Sequence, residues 1–144
     1  MTTATATTTT TQSVLPLIGR ILLGAVFLLS GLSKLGNAAG TQAYIASVGL
    51  PLPLVGYIVA VVLEVGGGVL LLLGYRAKLA SIALAIFTIA AAVFFHHAFG
   101  DQNQFIHFMK NLAITGGLLQ VAAFGAGAFS LDSRRAATPA HKFA

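Results

Sequence analysis

Cysteine is absent from all 144 residues. That gap removes disulfides, thiolate metal sites, thiol relays and palmitoylation together, so any redox chemistry needs a bound cofactor or a partner. Charge is nearly as scarce. Charged residues make up 8% of the chain against 57% apolar, with a mean hydropathy of +0.91, whereas a soluble domain carries about 25% charged residues. So few charges cannot cover a surface in water. A soluble globular fold is excluded, and a polytopic membrane protein with one small bundle as its domain is left. No glycine-rich loop follows a strand and no Ser, His and Asp stand in a recognisable triad order, so a soluble-type enzyme is unsupported. The net charge of +5 would point to nucleic acid in a soluble chain. Here the basic residues are spread along the sequence, basic loops beside anionic headgroups account for them, and nucleic acid is not an expected partner.

What the chain does have is apolar length. Leu54 to Gly74 is apolar throughout except for Glu64 at its midpoint. At about 1.5 Å per residue it would run about 30 Å, the thickness of the hydrocarbon core. An ionised Glu64 at that depth is costly unless it is paired or hydrated. Spans at about 15–33, 54–74, 79–99 and 104–124 predict an all-α, four-helix transmembrane bundle over residues 14–133. Residues 1–13 read as a disordered Thr/Ala tail without the basic n-region of a signal peptide, and 134–144 as a basic tail. Pro16 suits a first helical turn, and Thr41 to Val48 fits a short interfacial helix. Four spans put Arg20, Arg76, Lys78, Arg134, Arg135 and Lys142 on one side and only Lys34 and Lys110 on the other. That asymmetry places both termini in the cytoplasm.

Helical periodicity aligns Arg20, Gly24, Phe27, Gly31 and Lys34 on one face of the first span, and Tyr57, Ala60, Glu64, Gly67 or Gly68, and Leu71 on one stripe of the second. Glycine at such spacing admits a neighbouring helix. Gly24, Gly31, Gly67, Gly68 and, in the fourth span, Gly117 are therefore the expected packing positions. Glu64 has two open readings, a proton-exchanging carboxylate or a structural lock to a neighbouring helix, and its charge state is not fixed by sequence. Arg20, Lys34 and Lys110 are the available cations. Arg20 reads as a headgroup anchor, and the pairing favoured for Glu64 is with Lys110 or Arg20. Asn111 and Gln120 add polarity to the fourth span, and His96, His97 and His107 cluster near its start. With no His-x3-His pair and adjacent histidines diverging by about 100°, the spacing argues against a metal site.

Four short motifs in order resemble the DoxX family. They are Gly19-Arg20 with Ser30-Gly31-Leu32-Ser33-Lys34, Glu64-Val65-Gly66-Gly67 before Leu70 to Gly74, Lys110-Asn111-Leu112-Ala113, and Gly125 to Asp132. The resemblance implies a small bacterial inner-membrane protein with four helices. It marks Arg20, Gly31, Lys34, Glu64, Gly67, Lys110, Asn111 and Asp132. Some relatives belong to oxidoreductase systems, one similar to a subunit of thiosulfate:quinone oxidoreductase, so a quinone or lipid contact centred on Glu64 is implied. A membrane or soluble redox subunit, or a second copy of the chain, is the implied partner. The missing cysteine and Ala128, where relatives often carry arginine, speak against thiol or sulfur-transfer chemistry. A non-catalytic scaffold and a small transporter built on Glu64 stay open beside this reading.

Overall fold

A computed structural model of the chain describes residues 5–137, with side chains from Val14 onward. Helix α1 spans Thr5–Gly36 and α2 Ala38–Ser47. Next come α3, Pro53–Val61, a π-helical turn, Val62–Gly66, and α4, Gly67–Leu73, which run on as one rod. Helices α5 (Ala77–Phe95), α6 (Gln102–Phe124) and α7 (Leu131–Ala137) complete the described chain.

Three segments are long and apolar enough to cross a membrane: Val14–Gly36, Pro53–Leu73 and Ala77–Phe95. Helix α6 has 23 residues, about 34 Å of helix, but Gln102, Asn103, Gln104, His107, Lys110, Asn111 and Gln120 make it more polar. Several boundaries differ from the expected ones. Helix α1 begins at Thr5, inside the stretch read as a tail, so Pro16 lies within the helix rather than in its first turn. The third span ends at Phe95, so His96 and His97 fall in the following turn rather than on the helix. Helix α7 takes in Arg134 and Arg135, whereas the rest of the basic tail lies outside the described residues.

Local chemistry fixes each turn. Asn37 caps α2 by accepting from the Gly40 N–H, and Asp101 caps α6 by accepting from the Asn103 and Gln104 N–H groups. Gly74 ends the second span at φ 63, a left-handed C-cap that suits glycine. The core takes large side chains from four helical segments: Phe27 of α1, Leu71 of α4, Leu84 of α5 and Leu118 of α6. Outside it, Leu22, Leu29, Val62, Leu79 and Ile86 are exposed, the belt expected where lipid replaces water.

Helix α1 and the second span run antiparallel at very short range. A Cβ on Gly31 would lie 2.6 Å from Val65 Cγ2, and one on Gly24 or on Gly68 would lie 3.0 Å from the other glycine's carbonyl oxygen. The glycine triplet divides its work. Gly68 faces α1, Gly67 would press a Cβ to 2.9 Å from Leu84 of α5, and Gly66 opens onto free space. Gly117 of α6 packs more loosely: a Cβ there would lie 3.4 Å from Leu23 of α1.

Candidate functional site

Glu64 sits in the π-helical turn and is buried. A π turn adds a residue to the helical register and re-aims a side chain, which is why such turns gather at functional positions. The close approach at Gly31 brings the last turns of α1 alongside, and there Lys34 reaches the carboxylate. Lys34 Nζ donates to Glu64 Oε1 at 2.9 Å and to Oε2 at 2.8 Å. Its third donor goes to Ser30 Oγ at 2.9 Å, and Ser30 Oγ in turn donates to Glu64 Oε1 at 3.2 Å. The side chain of Glu64 is 7% exposed and that of Lys34 is 26% exposed, so the pair opens on the lysine side.

It opens into a cavity of about 370 Å³ between α1, α2, α3, α5 and α6. Phe87, Phe94, Phe95 and Tyr44 give it aromatic walls, and Glu64, Lys34 and Ser30 form one polar end. Helix α2 roofs the cavity, held by Ile45 against Gly56 and by the Tyr44 ring 5.2 Å from that of Phe95. His96 and Asn111 also line it. His96 Nδ1 bonds Gln104 Oε1 at 2.9 Å, and its ring stacks on His107 with centroids 5.0 Å apart. Asn111 donates to the His107 carbonyl and accepts from Thr115 at its own carbonyl.

The expected partners of Glu64 are thereby corrected. Lys110 is exposed and forms no ion pair among the described residues. Arg20 is no headgroup anchor. It is 1% exposed and lies at the other end of the bundle, donating to Leu71 O, to Leu72 O at 2.7 Å and to Phe129 O at 2.7 Å. Those two leucine carbonyls belong to the last turn of the second span, where helical donors run out, and Leu71 O is shared with the Gly74 N–H at 3.1 Å. The Gly125 to Asp132 motif has a matching role. Asp132 Oδ1 and Oδ2 accept from the Arg76 and Ala77 N–H groups, and the Asp132 N–H donates to Gly74 O. Arg20 and Asp132 thus bolt the Gly125 to Asp132 segment over the 74–77 turn.

Of the remaining candidates, His97 and Gln120 are exposed, and Gln120 borders a separate recess near Arg20. No group of three or more metal-ligating side chains occurs among the described residues. Ser30, Tyr44, Phe87 and Gln104 are the site residues that pattern reading passed over. The four-residue spacing of Ser30 and Lys34 was the available signal for the first. The others come together only through tertiary contact.

Comparison with known proteins agrees on the family. The DoxX family model matches residues 15–97. The chain is 40% identical over 119 residues to Inner membrane protein YqjF of Escherichia coli (strain K12), covering 81% of this chain and 88% of that protein. To Inner membrane protein YphA of the same organism it is 38% identical over 128 residues, covering 85% and 91%. A protein of Bacillus subtilis (strain 168) named as an oxidoreductase, CatD, is 32% identical over 77 residues, covering 54% of this chain and 56% of that one. No solved structure matches.

Proposed function

Since the chain belongs to the DoxX family and is a multi-pass protein of the bacterial inner membrane, we propose that it is the quinone-contacting membrane subunit of a redox system. The observation that carries this reading is one cavity with aromatic walls and a buried ion pair at its end. Its volume falls in the range of small-molecule sites, about 300–1,000 Å³, and apolar walls with few convergent polar groups are what such sites share. A quinone ring and its isoprenoid tail match the walls. Its carbonyl oxygens match the Lys34 ammonium as donor.

Reduction of a quinone to a quinol consumes two electrons and two protons. The side chains at this site exchange protons and not electrons, so the electrons come from a partner redox protein. Lys34 exchanges its Ser30 bond for one to a quinone oxygen and gives up a proton there. His96 at the cavity wall, stacked on His107, relays protons from water, one to restore Lys34 and one to the second quinone oxygen. Glu64 stays ionised and holds Lys34 charged between turnovers. The oxidoreductase name of the Bacillus relative supports the redox setting. In the same proposal α6 is the fourth crossing and both termini are cytoplasmic, as the basic asymmetry and the length of α6 support.

A second reading has its own observation. All three Lys34 donors are already used within the protein, by Ser30 and by both oxygens of Glu64, which favours a packing lock in a non-catalytic scaffold. Extraction of the wild-type protein in mild detergent, with quinone and lipid measured by mass spectrometry, separates the two. The redox reading expects quinone near one per chain, lost on Ala91→Trp, which fills the cavity from its α5 wall and leaves both members of the ion pair in the sequence. Quinone-free preparations whose melting temperature ignores added quinone would leave only the lock.

A further inference from the structure

A second apolar trough, of about 440 Å³, lies between the Pro53–Leu73 rod and α5 and shares no residue with the first. Val62, Leu63, Leu70, Leu79 and Ala83 wall it, and Tyr75 and Arg76 close one end. Its floor includes Gly66, where a Cβ would meet nothing within 4 Å, although Gly67 beside it is pressed against Leu84. The trough is thus room that a side chain at position 66 would fill. From Val62 to Leu73 the rod rises about 17 Å, close to one leaflet's share of the hydrocarbon core, about 15 Å.

The closed end is positively charged. The Arg76 and Arg135 guanidiniums lie 6.0 and 5.2 Å from the centroid of the Tyr75 ring. The Arg135 hydrogen bond first, then its charge, then Arg76 hold the Tyr75 phenol below its usual range. Both arginines are exposed, and neither forms an ion pair among the described residues. The nearby carboxylate, Asp132, is committed to the backbone N–H groups of Arg76 and Ala77, and this holds Arg76 at φ 47, a strained conformation for a side-chain-bearing residue. Lys78 turns the other way, donating to the Ala123 carbonyl.

The geometry points to a bound anionic phospholipid, with its phosphate on Arg76 and Arg135 and one acyl chain in the trough over Gly66. Paired guanidiniums recognise phosphate through forked hydrogen bonds, and basic ends of grooves between membrane helices bind anionic headgroups. The apolar trough running from that end is what a free phosphate would not need. This site is independent of the quinone cavity and of the direction in which the chain crosses the membrane.

Native mass spectrometry of the purified protein tests it, with phosphatidylglycerol, phosphatidylcholine of the same acyl chains, and inorganic phosphate as the probes. Phosphatidylglycerol is expected to be retained in preference to phosphatidylcholine. That preference should fall about fivefold with each arginine removed, in Arg135→Gln and in Arg76→Gln/Arg135→Gln. Gly66→Leu should reduce retention of both lipids while the protein melts as wild type. Equal retention of the two lipids by the wild type overturns the proposal. So does a phosphate effect equal to that of phosphatidylglycerol, or lipid retention unchanged in a folded Gly66→Leu protein. Arg135 lies on the exposed face of α7, so Arg135→Gln keeps the test valid if the double variant fails to fold.

Discussion

At the scale of single residues, Lys34 and Glu64 stabilise each other only as a pair. Burying either charge alone is costly, and removing one partner of a buried pair typically costs about 3–5 kcal/mol. Glu64→Gln leaves the Lys34 ammonium facing an amide that cannot balance it, and Lys34→Met leaves the carboxylate with Ser30 alone. Each variant should lower the melting temperature in detergent substantially. The double variant Lys34→Met/Glu64→Leu should lose much less than the sum, because neighbours in one network are non-additive. Additive losses would mean that the two groups do not sense each other. The partner of Glu64 was not readable in the chain, because three cations were within reach of an unplaced helix. What selects Lys34 is the Gly31 contact with Val65, and that is a property of two helices together.

At the scale of elements, the helices are held by two devices, glycine contacts in the middle and capping at the ends. Gly31→Leu must displace Val65, whose Cγ2 would lie 2.6 Å from the first added carbon and whose backbone N would lie 3.0 Å away. Overpacking of this kind costs about 1–3 kcal/mol, and a thermal melt of the variant should show it. At the Arg20 end, Asp132→Ala removes an acceptor from two backbone N–H groups at the start of α5. The loss should be about 0.5–2 kcal/mol, with the Gly125 to Asp132 segment becoming sensitive to limited proteolysis before the bundle melts. The α1 face was legible in the sequence. Arg20, Gly24, Phe27 and Gly31 are all buried and Lys34 half-buried, because in an otherwise apolar helix small and polar residues mark the inward side. The second stripe was legible as well, with Ala60, Glu64, Gly68 and Leu71 all buried. The choice between Gly67 and Gly68 alone stayed open, because the π turn at Glu64 shifts the register away from a constant 100° step. Arg20 was misread because its carbonyl partners are 51, 52 and 109 residues away.

At the scale of the whole molecule, apolar composition made the membrane class plain, and the cavity could not be seen because it exists only between five helices. The proposed four-crossing topology expects an alkaline phosphatase fusion to be active at Gly40 and silent at Ala137. Activity at both positions would mean that α6 does not cross. The central claim is that a quinone occupies the cavity beside Lys34 and Glu64. The most direct measurement is photolabelling of the protein in membranes with an azido-quinone, the labelled peptides being mapped by mass spectrometry. The account predicts label on the segments carrying Tyr44 and Phe94-Phe95, displaced by excess unlabelled quinone and lost in Ala91→Trp. Label spread over the lipid-facing residues such as Leu29 and Ile86, with no competition and no effect of Ala91→Trp, would contradict it.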